Sequence, residues 1–375
     1  MDISRLLVLL DAFKALQWQN LIMILIGGGL IALAVIKEYE PNLLLPIGFG
    51  AILANLPLTG ATEAGGWLKI LFDTGIATEL FPLFVFIAIG AMTDFGPLLE
   101  NPKMALLGAA GQFGIFITLM LALSTGFFTL NEAASIGIIG AIDGPTAIYV
   151  SSKLAPHLLG PITVCAYSYM SLVPIIQPPV MRLLTSKAEK TLHMPYTIKE
   201  VSRAVRVLFP IVVTVVVSLI APKASPLIAS LMFGNLIRES GVVDRLSNTA
   251  QNELANLTTL FLGLAIGATM EGVNFIKPTT LLILGLGLFA FVMDTVGGLL
   301  LGKIMYWLSG KKFNPLIGAA GISAFPMSAR IVQKFGQEYD TSNFLLMHAM
   351  GANAAGQLGS VIAGGVVLAI IGGVM

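Results

Sequence analysis

Charge is scarce in this sequence. It has 21 basic and 20 acidic residues, 11% of 375, where a soluble domain carries about 25%. With 56% hydrophobic residues and a mean hydropathy of +0.89, a water-soluble core could hide only part of the apolar surface, so lipid must solvate the rest. An ordinary water-soluble enzyme is excluded. A net charge of +1 leaves no basic footprint for nucleic acid. One cysteine, Cys165, excludes an internal disulfide and a thiolate metal cluster. Nucleotide motifs are absent as well. The run from Gly297 to Ile304 imitates a phosphate loop but puts isoleucine where a magnesium-binding hydroxyl is needed, and it lies in an apolar stretch. Chemistry must therefore come from oxygen and nitrogen groups, and no ATP site powers it.

What is present is a series of uncharged runs, among them 15–36, 41–62, 104–131, 154–181 and 341–375. A span needs about 20 apolar residues, and the runs together predict an all-α polytopic membrane protein of about ten spans. Two stretches are interrupted. Asp143, Gly144 and Pro145 cut 133–152, and Pro315, Gly318, Gly321 and Pro326 cut 313–329. Broken or re-entrant backbone at membrane depth survives only inside protein or against a wet cavity, because lipid cannot satisfy freed amides. Residues 1–20 mix Asp2, Arg5, Asp11 and Lys14 with leucines and read as an interfacial amphipathic helix. Residues 182–206 carry Arg182, Lys187, Lys190, Lys199, Arg203 and Arg206, which assigns them to the cytoplasm.

The halves on either side, 21–181 and 207–375, share an ordered pattern. Ile89-Gly90-Ala91 returns as Ile266-Gly267-Ala268. Gly137, Gly140, Pro145 and Lys153 return 181 residues later as Gly318, Gly321, Pro326 and Lys334. Paired Gly/Pro-interrupted segments in two membrane halves mark a transporter site at mid-bilayer. An odd number of crossings in each half makes the repeats inverted, with the broken segments meeting from opposite sides.

Asp143 is the foremost candidate, since an intramembrane carboxylate normally faces an ion path or a partner. Tyr167, Tyr169, Asn314, Ser323, Asn353 and Ser360 supply oxygen in the matching regions. That inventory suits a hard monovalent cation, although each residue serves equally as hydrogen-bonding glue between helices. Tyr169 could move a proton. Arg330 either binds an anion or lies at the cytoplasmic surface. Asp294 reads as a helix-to-helix hydrogen bond and His348 as a satisfied polar contact. Asp94 and Glu271 read as solvated span ends.

Four motifs carry a family resemblance: GAIDGPTAIYVSSKLAP at 140–156, AYSYMSLVPIIQPP at 166–179, NPLIGAAGISAFPMSAR at 314–330 and MHAMGANAAGQLGS at 347–360. With them the sequence resembles the membrane beta subunit of the sodium-pumping, biotin-dependent carboxylic acid decarboxylases. The resemblance implies a multi-pass subunit of the bacterial inner membrane. It would receive carboxybiotin on a partner biotin carrier, not covalently bound here, decarboxylate it with consumption of a proton, and move sodium outward. Its implied partners are the carrier, a carboxyltransferase alpha subunit and a small gamma or delta membrane subunit, in a homo-oligomeric complex. Carried over by position, Asp143, Asn314 and Asn353 are implied sodium ligands. Tyr169 and Ser323 are implied at the second ion or proton site, Gly318 at a close approach, and Arg330 at the carboxybiotin or in the transport cycle. Two positions depart from the pattern, Ala352 where proline is usual and the lead GAID into Asp143, and both bear on local backbone geometry. Oxaloacetate, methylmalonyl-CoA, glutaconyl-CoA and malonate systems all fit. The short lead before the first span inclines the expectation to the acyl-CoA members. The competing class is a sodium-coupled anion symporter of the same inverted-repeat design, which architecture alone does not separate from the pump.

Overall fold

The computed structural model describes residues 11–38, 40–196 and 200–373, and among them every regular element is helical. Among the described residues, five helices are long and apolar enough to cross a membrane: Trp18–Lys37, Met104–Ser124, Arg203–Ile220, Pro278–Leu308 and Leu346–Ile371. Two bent pairs, Trp67–Ile76 with Leu80–Met92 and the pair Pro156–Met170 with Val173–Leu184, raise the number to seven. The sequence suggested about ten. The difference lies in shorter apolar helices such as Pro41–Ala54, where Pro46 removes a backbone donor inside the helix. Residues 1–10, half of the expected interfacial helix, lie outside the described residues. Asp11–Lys14 forms one turn, and the first long helix already begins at Trp18.

The two interrupted stretches fold as hairpins. In the first, the helix Leu130–Gly137 tightens into the 3₁₀ turn Ile138–Ala141, breaks, and returns as Gly144–Leu154. Thr129 and Glu132 cap its start reciprocally, and Glu132 Oε1 lies 2.8 Å from His157 Nε2, so both ends of the hairpin are tied together. The second descends as a buried 3₁₀ stretch, Pro315–Gly321, and returns as Met327–Tyr339. Its two ends both fasten to the 182–196 segment. The Asn314 amide donates to Leu192 O at 2.8 Å, and His193 Nε2 lies 2.7 Å from Asp340 Oδ2.

The 31-residue helix Pro278–Leu308, about 46 Å long at 1.5 Å per residue, gives the scale. Glu132 and His157 share a cavity with Lys277, Thr279 and Thr280 at its beginning, whereas Phe313 shares one with Met305 and Leu308 at its end. The hairpins therefore dip in from opposite ends of this helix, and their tips touch where the Ser323 hydroxyl donates to Ala141 O. Close approach of backbones makes this packing dense. A Cβ on Gly318 would collide with the carbonyl of Gly298 in the long helix, as small residues permit between membrane helices.

Candidate functional site

Asp143 stands at the break of the first hairpin. Ile142 before it adopts φ +53°, a left-handed conformation rare for a β-branched residue, and Pro145 starts the following helix with its fixed φ. The turn presents the carboxylate at the helix N-terminus, where the backbone dipole favours negative charge. Asp143 is 3% exposed. The Thr146 hydroxyl donates to its Oδ2 at 2.6 Å, and the Ser360 hydroxyl lies 3.1 Å from the same oxygen. Ser360 also lies 2.9 Å from Gln357 O and has one proton for the two acceptors.

Ser360 belongs to a polar stripe on Leu346–Ile371, where Asn353, Gln357 and Ser360 recur at helical spacing on one face. That helix is unbroken at Ala352. The Asn353 amide donates to Ile322 O at 2.7 Å, and the Gln357 amide donates to Ser323 O. Both side chains thereby turn their own oxygens, Asn353 Oδ1 and Gln357 Oε1, into buried positions with no donor among the described residues. A buried unsatisfied acceptor costs about 1–3 kcal/mol. A dehydrated monovalent cation removes that cost, because it takes carboxylate, amide and carbonyl oxygen together.

A cavity of about 520 Å³ reaches Asp143, Ser323 and Gln357 at its closed end, with the ring of Tyr167 along its wall. At its open end stand Glu40, Asn42, Gln251 and Asn256. Met92 also lines it, and the Met92 carbonyl accepts from Arg238 at 2.8 Å. Arg238 sits beside Glu239, the partner of Arg206, so the mouth lies at the same end as the basic 182–206 segment.

The structure thus brings Ser360, Ser323 and Tyr167 to Asp143, with Asn353 bonded to Ile322 next to Ser323, and sets the other candidates apart. Gly318 holds the second hairpin against the long helix. Asn314 begins that hairpin: its Oδ1 accepts from Leu316 N at 2.9 Å, at the far end of the 3₁₀ stretch from Ser323. The Tyr169 hydroxyl donates to Leu284 O at 2.7 Å, on the side turned to the long helix. Arg330 is exposed one turn beyond Met327, which lines the cavity, and its guanidinium has no hydrogen-bond or ion-pair partner among the described residues. Asp294 is fully buried and accepts from Gly114 N at 2.5 Å, an interhelical bond at the start of Phe113–Ser124. His348 packs edge-on to Tyr196 in a separate cavity of about 730 Å³. Asp94 pairs with Arg238 at 3.6 Å. The sequence inventory of oxygen donors included Tyr167 but neither Thr146 nor Gln357. The signal for Gln357 was its spacing of four from Asn353.

The family model described as the Na+-transporting oxaloacetate decarboxylase beta subunit matches residues 19–371. The chain belongs to that family. It is 51% identical to the methylmalonyl-CoA decarboxylase subunit beta of Propionigenium modestum, with 96% of this chain and 97% of that one covered. It is 53% identical to the glutaconyl-CoA decarboxylase subunit beta of Acidaminococcus fermentans, over 97% and 96%. It is 46% identical to the oxaloacetate decarboxylase beta chain 2 of Salmonella typhimurium, over 92% and 94%. These relatives are beta subunits of decarboxylase complexes. Family membership supports the decarboxylase reading over the symporter and makes the chain a multi-pass membrane subunit of a multisubunit sodium-transporting decarboxylase.

Proposed function

We propose that this subunit binds sodium at Asp143 and exports it while carboxybiotin, delivered by a biotin carrier, loses its carboxyl group. The observation that carries the reading is the conjunction of one buried carboxylate with two donorless amide oxygens, Asn353 Oδ1 and Gln357 Oε1, on elements that meet at the hairpin tips. Ser323 contributes its hydroxyl oxygen, whose proton is committed to Ala141 O. Sodium comes from the cytoplasm, the side to which positive-inside bias assigns 182–206 and with it the cavity mouth.

At carboxybiotin the N–C bond to the carboxyl group breaks. Its electron pair returns to the ureido nitrogen, which takes up a proton, and carbon dioxide leaves. Arg330, unpartnered and one turn from the cavity wall, suits the incoming carboxylate. Tyr169 and Ser323 flank the first hairpin at the second ion or proton site, and Asn314 acts at the base of the second hairpin. Two inverted membrane repeats, 21–181 and 207–375, give the opposed hairpins their common plan. The complex includes the carrier, a carboxyltransferase and a small membrane subunit, in the bacterial inner membrane, with more than one copy of this chain. Identities of 51% and 53% to acyl-CoA decarboxylase subunits against 46% to an oxaloacetate one favour an acyl-CoA substrate upstream.

The test is Asp143→Asn in the purified complex reconstituted into liposomes. Sodium-dependent decarboxylation and sodium uptake are expected to fall to background while the subunits still copurify on streptavidin. Retained activity with an unchanged sodium requirement would falsify the role of Asp143.

A further inference from the structure

The cavity that ends at Asp143 has a second carboxylate, Glu40, at its mouth. Glu40 follows the helix Trp18–Lys37 and precedes Pro41. It is half-buried, and its side chain has no hydrogen-bond or ion-pair partner among the described residues. Burial without a counter-charge pushes its carboxyl up from the ordinary value. Its backbone sits at φ +38°, a left-handed conformation that costs a non-glycine residue about 1–3 kcal/mol.

The cavity wall between the two acids is consistent in sign. Asn42, Gln251, Asn256, Thr259, Tyr167, Ser323 and Gln357 offer neutral oxygens, and no lysine, arginine or histidine lines it among the described residues. Gln357, 4% exposed, lines the closed end and carries a buried oxygen with no donor among the described residues. The buried Tyr167 lines the cavity with both Glu40 and Asp143, its ring packed on Gly144. A cleft with low-dielectric walls and charge of one sign concentrates counter-ions. It also repels an anion, so the carboxylate of carboxybiotin is disfavoured there until a cation has entered.

We propose that Glu40, with the amide oxygens of Asn42 and Asn256, forms an outer site for a hydrated sodium ion at the cavity mouth, from which the ion passes to Asp143. The proposal rests on the reading of Asp143 as the inner site. The outer site raises the local sodium concentration without taking part in the chemistry at biotin. Removing its charge therefore slows loading and leaves the turnover of loaded protein alone.

The experiment measures decarboxylation by the intact complex against sodium concentration for Glu40→Gln and Glu40→Asp. The Gln variant is expected to need about five- to tenfold more sodium for half-maximal rate. Its kcat at saturating sodium should stay within about twofold of the wild type, and the shift should shrink in about 0.5 M choline chloride, where the Debye length is only a few ångströms. The Asp variant is expected to stay near the wild type. An unchanged half-saturation, or a loss of kcat at saturating sodium, overturns the outer site. If Glu40→Gln does not assemble, Asn42→Asp decides: it adds a carboxylate at the same mouth and is expected to lower the half-saturating sodium about twofold, and no fall overturns the proposal. Asp143→Asn in parallel separates the two claims. Loss of activity there with no shift for Glu40→Gln removes only the outer site, whereas full sodium dependence in Asp143→Asn removes the inner site as well.

Discussion

The two hairpins share a plan and differ in charge. Counting 181 residues on from Asp143 arrives at Ala324, and from Thr146 at Met327. The second hairpin thus brings to the meeting point neither an acid nor the hydroxyl that supports one. It brings the Ser323 hydroxyl and two backbone carbonyls, of Ile322 and Ser323, which the amides of Asn353 and Gln357 engage. The fastenings differ too. The ends of the first hairpin bind each other through Glu132 and His157, whereas those of the second bind the 182–196 segment. Two opposed hairpins therefore make the meeting point, and only one of them makes it anionic. One monovalent cation neutralises it.

The strongest way to break that asymmetry is to move the acid. In the double variant Asp143→Ala with Ala324→Asp, the carboxylate returns on the wrong hairpin, without Thr146 and Ser360 to hydrogen-bond it. Such a buried, unsupported charge costs about 3–5 kcal/mol, so sodium-dependent decarboxylation is expected to stay below about 1% of wild type. Recovery in that assay shows that either hairpin serves as the ligand support.

Ser323→Ala removes the hydroxyl that joins the tips and leaves the Ala141 carbonyl without that donor. At about 1–3 kcal/mol for a stranded buried group, the rate at fixed sodium is expected to fall about ten- to a hundredfold. Ser323→Thr, which keeps the hydroxyl, should restore part of it. Equal losses in both variants point to packing as the cause.

Gly318→Ala tests the packing of the second hairpin. Its new methyl meets the Gly298 backbone, which has no side chain to move aside, and overpacking of this kind costs about 1–3 kcal/mol. The melting temperature of the solubilised complex is expected to drop by several degrees, and a melting curve superposable on wild type contradicts the contact.

The smallest effect is expected at the outer fastening. Asp340 is held at about 2 by hydrogen bonds from Ser342, together with His193. Its folded value is thus depressed below the ordinary carboxylate value of about 3.9. The stabilisation is fully present above that ordinary value and is lost as pH falls from there towards about 2. Because the pair is exposed to solvent, Asp340→Asn should shift melting only slightly at pH 7, and the shift should fade as the pH drops below about 4. A shift that grows on acidification reverses the assigned sign.

Much of this was legible in the residues themselves. Asp143 stands alone among apolar neighbours, and the constant spacing of Gly137, Gly140 and Pro145 against Gly318, Gly321 and Pro326 marks two elements that cannot be plain helices. What was hidden is helical phase. Tyr167 and Tyr169 are two residues apart and so about 200° apart around their helix; one lines the cavity and the other bonds to the long helix. Gln357 became visible only once the face of the last helix was known. Asn314 and Ser323 stand in one motif, yet the buried stretch Pro315–Gly321 separates them in space. Glu40 was hidden for a different reason. An acid bounding an apolar run looks like an ordinary span end, and only the cavity distinguishes it.

The cavity's depth also shapes the electrical behaviour. Water entering from the mouth carries the potential of that compartment inward as far as Asp143, so the insulating layer is reduced to the protein between the hairpin tips and the opposite face. A voltage falls across insulation, and here it is compressed into much less than the ~30 Å of hydrocarbon around the protein. An ion stepping past the contact of Ser323 with Ala141 would then feel most of the roughly 2.3 kcal/mol per 100 mV in a short displacement. On the proposed cycle, membrane voltage acts on the arm that releases sodium, and binding from the wet side is nearly indifferent to it.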